Sequence, residues 1–129
     1  MNKLLLVLTC LSVSFVSVSQ TARLKKKYLK TYSGQIPAFS INTGNELLEV
    51  KAETIELALT KDSMYVTVGK NVYFGTYTAT KEIKNEYELI GTMEQSGIKE
   101  VFQFSAKTGE LTRKGIFPQP NAVLKPKQD

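Results

Sequence analysis

The side chains that most often carry catalysis are scarce in this sequence. It has no histidine and no tryptophan, and its one cysteine, Cys10, lies in an apolar run that we interpret as a signal peptide. Without imidazole there is no Ser-His-Asp triad and no histidine-ligated metal. Loss of Cys10 with the signal peptide also removes thiolate chemistry. We therefore expect a protein that is not an enzyme, with no cofactor and no bound metal.

Carboxylates are the acid–base groups that remain. Glu86 and Glu88 lie two residues apart on one predicted strand, and Glu49, Glu53 and Glu56 cluster earlier in the chain. A pair of carboxylates can cleave a glycosidic bond when burial raises the pKa of one member. These glutamates occupy the polar positions of alternating apolar and polar residues, which is typical of a solvated face. An enzyme is therefore the least favoured of the functional classes.

Three tyrosines are the more specific candidates for a binding site. The alternation predicts that Tyr65, Tyr73 and Tyr77 lie on one face of two adjacent strands, opposite the predicted core. Such a stripe can stack on a sugar or contact a protein partner, because tyrosine combines a large ring with a polar tip. The alternative is ordinary cross-strand pairing that shields the sheet. If the sheet closes into a barrel, these side chains line its interior instead.

A basic stretch runs from Thr21 to Tyr32. Its basic residues are Arg23, Lys25, Lys26, Lys27 and Lys30. One interpretation is an arm that lies on an anionic membrane or glycan surface, with Leu24, Tyr28 and Leu29 as apolar contacts. The other is a solvated, mobile terminus. The net charge of +5 is too mild to decide between them, and we expect no nucleic-acid partner.

These candidates are positioned by a β-meander at the centre of the chain. Apolar and polar residues alternate through Ile55–Leu59 and again through Met64–Val68, which predicts two half-buried strands. Gly69-Lys70-Asn71 contains residues that tolerate positive φ, and Val72–Thr80 is rich in β-branched and aromatic residues. The predicted inward residues are Ile55, Leu57, Leu59, Val66, Val68, Phe74, Leu89 and Phe102, with Met64 and Val72 in the same phase.

Further strands are predicted on both sides of this meander. Glu86–Met93, Ile98–Ala106 and Leu111–Phe117 follow it, and Asn42–Asn45 is a favourable hairpin turn before it. Residues 46–52 fit a strand better than a helix, although Leu48, Ala52, Ile55 and Leu59 also fall at helical spacing. The prolines Pro118, Pro120 and Pro126 predict that regular pairing ends before them.

The result is an all-β fold with an antiparallel up-and-down meander of about eight short strands, closed as a small barrel or stacked as a sandwich. This layout resembles the lipocalin and streptavidin barrels in architecture only. The predicted divisions are a cleaved secretory signal peptide at 1–19, a basic N-terminal arm at 20–36, a β-domain at 37–117 and a Pro-rich tail at 118–129.

The predicted signal peptide indicates export to the periplasm or the extracellular space. Leu4–Val18 is apolar, and Ser17-Val18-Ser19 is a small-x-small cleavage site before Gln20. The alternative is a membrane anchor, for which this run is short. We expect an exported β-domain that binds a small apolar molecule or an envelope component. The alternative function is a structural or accessory envelope protein that works through protein–protein contacts.

Overall fold

The structure is a computed structural model that describes residues 21–128, so the predicted signal peptide lies outside the described residues. Its strands are β1 (Thr21–Ala22), β2 (Thr31–Ile36), β3 (Phe39–Asn42), β4 (Leu47–Val50), β5 (Glu53–Leu59), β6 (Ser63–Val68), β7 (Asn71–Lys81), β8 (Glu86–Met93), β9 (Lys99–Ser105), β10 (Glu110–Arg113) and β11 (Ala122–Pro126). A 3-10 turn at Lys26–Tyr28 lies between β1 and β2. Within this part of the chain, no helix has the length and apolar character needed to cross a membrane.

Eight strands form a closed antiparallel barrel. β2 pairs with β5, and β5 to β11 then follow in chain order, each paired with the next. β11 returns to β2, with Leu124 opposite Gly34 and Lys125 opposite Ser33. The short β1 pairs with the last part of β7. The predicted all-β up-and-down meander is confirmed, and closure makes it a barrel rather than a sandwich.

The antiparallel order distributes the connections between two ends of the barrel. The open mouth is the end that carries residues 37–52, 69–70, 94–98 and 114–121. The plugged end carries residues 23–30, 60–62, 82–85, 106–109 and 127–128. The two ends are therefore built from different parts of the sequence, and their side chains differ accordingly.

Apolar side chains fill the middle of the barrel. Alternate residues of a barrel strand point inward, so one face of each strand supplies the core. The largest fully buried side chains are Tyr32, Phe102, Phe104, Ile55, Leu57, Met64, Leu89, Leu111, Leu124 and Val66. Of the predicted core residues, Leu59 is also buried, and Val68 packs against the same cluster. Most of the predicted inward face is therefore confirmed.

Strand β7 has the opposite phase to the predicted one. Phe74 lies opposite Tyr65, and Tyr73 lies opposite Val66. Directly opposed residues of an antiparallel pair point to the same face. Tyr73 therefore faces inward, whereas Phe74 and Val72 face outward and are 40% and 56% exposed. The prediction that Phe74 and Val72 belong to the core is wrong.

The C-terminal prolines do not end regular pairing. Pro118 and Pro120 lie in the connection between β10 and β11, and Pro126 is the last residue of β11. None of them interrupts a strand, because each lies between strands or at a strand end, where proline is tolerated. The predicted tail at 118–129 therefore supplies a barrel strand, and so does the predicted arm, because β2 begins at Thr31.

The segment at 46–52 contains a strand, as predicted, and the helical alternative is wrong. β4 pairs with β3 to form a two-stranded hairpin that is separate from the barrel sheet. The predicted turn joins them, with the backbone N–H of Gly44 donating to Asn42 Oδ1 at 2.9 Å. Gly44 has φ +90°, a value that favours glycine.

Two glycines allow neighbouring strands to approach closely. A Cβ on Gly34 would overlap with the carbonyl oxygen of Val123, and a Cβ on Gly75 would overlap with that of Thr92. Gly34 lies at the β2–β11 closure, and Gly75 lies in the middle of the long strand β7. Glycine within a strand commonly marks such a close approach or a bend. Both positions therefore require a residue without a side chain.

Phe102→Ala and Phe74→Ala form a matched test of the inward phase. Phe102 is completely buried, so its truncation should lower the free energy of unfolding by about 3–5 kcal/mol. Phe74 faces outward and stacks on Tyr65, so its truncation should cost no more than about 1.5 kcal/mol. Urea denaturation measures both values. Equal losses for the two variants would contradict the phase described here.

Candidate functional site

The open mouth contains a cleft of about 550 Å³. Its walls are supplied by β5 to β10 and by the connections at 94–98 and 114–121. This volume is within the range of about 300–1,000 Å³ that is usual for small-molecule sites. The cleft lies beyond the end of the packed core, where the inward positions of the strands change from apolar to charged.

Arg113 and Glu100 form the floor of this cleft. Arg113 shares the inward face of β10 with Leu111, and Glu100 shares the inward face of β9 with Phe102. The Arg113 Nε donates to Glu100 Oε2 at 2.9 Å, and Nη2 donates to Oε1 at 2.8 Å. The side chains are only 8% and 12% exposed. This bidentate pairing of two ionised groups is among the stronger hydrogen-bond arrangements in proteins.

Gln119 completes the floor. Arg113 Nη1 donates to Gln119 Oε1 at 2.7 Å. The connection that carries Gln119 is held in place by two further bonds, from Gly115 N to Asn121 Oδ1 and from Gln119 N to the carbonyl oxygen of Ile116, both 2.8 Å. With its oxygen bound to Arg113, Gln119 retains its amide nitrogen as a donor. The floor is thus polar, ordered and capable of further hydrogen bonds.

The charges on this floor cancel. Glu100 neutralises Arg113, as a buried guanidinium requires. Glu53 also lines the cleft, from the exposed start of β5, and adds a negative charge at the rim. An anionic ligand would meet this carboxylate and would compete with Glu100 for the guanidinium. These charges therefore disfavour an anion in the cleft.

The walls around the polar floor are largely apolar. Val68 and Met93 reach the cleft from the edge of the core, and Tyr73 stands beside them. Ile98 and Ile116 are 50% and 61% exposed on the facing connections. Exposed apolar walls above a hydrogen-bonding floor match a molecule with one polar end and one apolar end.

The three tyrosines predicted as a site do not come together. Tyr65 lies on the outer face of the barrel, stacked on Phe74 with ring centroids 6.2 Å apart. Tyr73 lines the cleft at the open mouth. Tyr77 lies towards the plugged end, where its hydroxyl donates to the carbonyl oxygen of Thr60 at 2.7 Å. The register of β6 and β7 puts Tyr73 and Tyr77 on the same face as Val66, and barrel closure makes that face the interior, which was the alternative to an exposed stripe.

The basic stretch closes the plugged end. Leu24, Tyr28 and Leu29 pack against the core, and the ring of Tyr28 meets that of Phe104 edge to face at 4.8 Å. The backbone N–H of Leu59 donates to the carbonyl oxygen of Lys30 at 3.1 Å. Leu24, Tyr28 and Leu29 therefore belong to the fold and do not serve as apolar contacts for an external surface, and the stretch is not a detached terminus. The basic side chains of the same stretch, Arg23, Lys25, Lys26, Lys27 and Lys30, are exposed.

Three phenols lie close together beneath this plug. Burial raises the pKa of Tyr32 to about 12, and the phenols of Tyr28 and Tyr77 add to the rise. Burial also raises the pKa of Tyr77, with a further contribution from Asp62. The Tyr32 hydroxyl donates to the carbonyl oxygen of Tyr28 at 2.7 Å. The plug is therefore tied to the core by a hydrogen bond that requires the protonated phenol.

The candidate carboxylates are not assembled into a catalytic pair. Glu86 and Glu88 lie on the outer face of β8, since Tyr87 and Leu89 point inward. Among residues 21–128, no three or more histidine, cysteine, aspartate or glutamate side chains are grouped so as to hold a metal ion. Of the candidate carboxylates, Glu56 pairs with Lys127, with Oε1 and Nζ 2.9 Å apart. The carboxylate buried in an ion pair is Glu100, which was not among the candidates.

Arg113 and Glu100 carry a sequence signal that was missed. Glu100 falls two residues before Phe102, and Arg113 falls two residues after Leu111, so both occupy inward positions of predicted strands. A charge at an inward position needs a partner when it is buried. The pattern therefore indicates two inward charges that each need a partner, and the register of β9 and β10 then brings them together.

Comparison with known proteins yields no relative. No protein-family model, no curated protein and no solved structure matches this chain.

Removal of one partner of the Arg113–Glu100 pair should lower the free energy of unfolding more than removal of both. Arg113→Met leaves the Glu100 carboxylate buried without its partner, so we expect a loss of about 3–5 kcal/mol in the free energy of unfolding. The double variant Arg113→Met/Glu100→Leu should recover most of that loss. Urea denaturation of the three proteins measures the coupling. A double variant no more stable than Arg113→Met would contradict a buried, mutually dependent pair.

The plug should loosen at high pH. The unfolded chain loses the Tyr32 proton near pH 10, whereas the folded protein keeps it to about pH 12. This contribution to stability is therefore complete below pH 10 and falls by about 2–3 kcal/mol as the pH rises to 12. Tyr32→Phe removes the titrating group, so the unfolding free energy of the variant should not show this fall. The difference in unfolding free energy between the variant and the parent protein should therefore change by that amount, in favour of the variant, between pH 10 and pH 12. Parallel curves of unfolding free energy against pH would refute the assignment.

Proposed function

We propose that this protein is an exported, non-catalytic binding module that holds a small, uncharged amphipathic molecule in the cleft at the open mouth. The observation that carries the proposal is the buried Arg113–Glu100–Gln119 floor beneath apolar walls in a cleft of about 550 Å³. A buried ion pair is often no more stabilising than packed apolar residues, so the stability of the fold does not by itself account for this floor.

The position of the ligand follows from the packing of the barrel. The middle of the barrel is occupied by fully buried side chains such as Phe102, Leu57 and Leu111. A ligand therefore rests at the mouth, above these side chains, and does not enter the centre. Its polar end reaches Gln119 and the remaining N–H groups of Arg113, and its apolar part lies on Tyr73 and the exposed isoleucines.

The expected charge of the ligand follows from the hydrogen bonds that Arg113 already makes in the floor. Three of the five N–H groups of Arg113 are engaged by Glu100 and Gln119. The remaining two suit a carbonyl or hydroxyl oxygen, and no net positive charge is left to attract an anion. The floor is therefore suited to neutral amides, ketones, esters or alcohols with an apolar body.

A pair of fluorescent probes tests the proposal. N-Phenyl-1-naphthylamine is neutral, and 1-anilinonaphthalene-8-sulfonate carries the same ring system with an added sulfonate. We expect the neutral probe to bind at least about tenfold more tightly, which corresponds to about 1.4 kcal/mol. Fluorescence titration measures both dissociation constants. Tighter binding of the sulfonate would overturn the proposed charge preference.

Two adjacent aromatic residues provide matched variants. Tyr73 lines the cleft and Phe74 faces outward, yet their exposed fractions are 37% and 40%. Tyr73→Ser should weaken the neutral probe by about tenfold, because a ring contact worth roughly 1–2 kcal/mol is lost. Phe74→Ser should leave the affinity unchanged. Equal effects of the two substitutions would place the probe elsewhere.

A second function is favoured by the β3–β4 hairpin. Leu47 and Leu48 are neighbours in sequence and therefore point to opposite faces, and they are 62% and 44% exposed. An extended hairpin with apolar side chains accessible on both faces suits contact with another protein in the envelope. The variant Leu47→Ser/Leu48→Ser should retain probe binding, so the two functions can be tested separately.

A further inference from the structure

The plugged end of the barrel concentrates positive charge. Five exposed basic side chains lie between β1 and β2: Arg23, Lys25, Lys26, Lys27 and Lys30. The other segments of this end add four more: Lys61, Lys84, Lys107 and Lys127. The acidic side chains in the same segments are Asp62 and Glu82, and Lys127 is paired with Glu56 of β5, with Nζ and Oε1 2.9 Å apart. These nine basic residues and two acidic residues define the basic end.

The open mouth has no such excess. Its connections carry three lysines, Lys51, Lys70 and Lys114, and three glutamates, Glu46, Glu49 and Glu94. The positive charge of this mildly basic chain is therefore concentrated at one end of the barrel. A field of one sign over one end orients a protein against an oppositely charged surface.

The charges of the basic end are held in place by the fold. β1 pairs with β7, Tyr28 packs on Phe104, and the backbone N–H of Lys127 donates to the carbonyl oxygen of Thr31 at 2.9 Å. The basic residues between β1 and β2 thus share one surface with the lysines of three turns. The surface comes from five segments of the chain, and the N-terminal stretch is only one of them.

We propose that the basic end docks on an anionic phospholipid membrane. This is a second interaction surface, independent of the ligand cleft, and it lies at the opposite end of the barrel. Docking would therefore leave the open mouth facing away from the membrane and accessible. Lysine and arginine side chains near an anionic bilayer attract its head groups additively, so several moderate contributions give useful affinity.

The sequence before the barrel favours a membrane over other polyanions. The first described strand, β1, begins at Thr21 beside the plugged end, and the run Leu4–Val18 that precedes it in the sequence is apolar. As a signal peptide this run would bring the chain to a lipid bilayer during export, and as a retained anchor it would hold the basic end beside that bilayer. Charge complementarity and chain direction thus point to the same surface.

The contact is electrostatic and does not involve insertion of the basic stretch. Leu24, Tyr28 and Leu29 pack against the core, so they are not available to enter the bilayer. Docking should accordingly disappear at high salt, because the screening length falls from about 10 Å at 0.1 M to about 3 Å at 1 M.

Two triple variants of the full chain test the proposal. Lys61→Glu/Lys84→Glu/Lys107→Glu reverses three turn lysines of the basic end. Lys51→Glu/Lys70→Glu/Lys114→Glu reverses the three lysines of the open mouth and gives the same net charge. Co-sedimentation is measured with vesicles of phosphatidylcholine alone and with vesicles containing 30% phosphatidylglycerol, at 0.05 M and 1 M salt. The measured quantity is binding to the anionic vesicles divided by binding to the phosphatidylcholine vesicles. Any apolar contribution of Leu4–Val18 is common to both vesicle types and cancels in this ratio.

The parent protein should prefer the anionic vesicles at low salt and lose this preference at 1 M. The basic-end variant should lose at least about 30-fold in that preference, whereas the open-mouth variant should change by less than about threefold. Equal losses in the two variants would show that net charge alone acts, and would overturn the proposal. Equal binding of the parent to both vesicle types, or selective binding to a soluble polyanion such as heparin, would also overturn it.

Discussion

The pairing of the last strand with the first barrel strand is the constraint on which the structure depends. β11 lies beside β2 over Gly34–Leu124, Ser33–Lys125 and Tyr32–Pro126, and this ladder converts a meander with two open edges into a barrel. It requires a close backbone approach, which Gly34 permits. Closure gives every strand an inward and an outward face, and it directs the long side chains of Tyr32 and Leu124 into one shared core.

Closure also creates two ends, which are covered by different kinds of side chain. At the plugged end an N-terminal segment covers the core with apolar side chains, and a hydrogen bond from Tyr32 to Tyr28 holds it. At the open mouth the core ends in Arg113 and Glu100, which satisfy each other but leave polar atoms facing a cleft. Residues 21–128 contain no cysteine, so these end structures and the packed interior stabilise the fold without a disulfide.

The two proposed interaction surfaces lie at opposite ends of the same barrel. In the two proposals, the basic end offers positive charge from five chain segments to a membrane, and the open mouth offers an internally neutralised floor to a small molecule. This arrangement separates long-range electrostatic attraction from short-range recognition. A cleft with an internally neutralised arginine is also insulated from the anionic surface, because it has little net positive charge to attract lipid head groups.

The sequence by itself determined the all-β class, the up-and-down order and most of the inward residues, since alternation and turn chemistry are local properties. It also placed the hairpin turn at Asn42–Asn45 and favoured the strand that follows. Only the tertiary structure decided the phase of β7. The two-residue turn Gly69-Lys70 pairs Val68 with Asn71, so Asn71 and every second residue after it point inward, one position away from the predicted phase. Barrel closure, the plug and the Arg113–Glu100 pair join residues that are distant in sequence or lie on different strands. Their pairing depends on register and on barrel geometry, which local patterns do not specify.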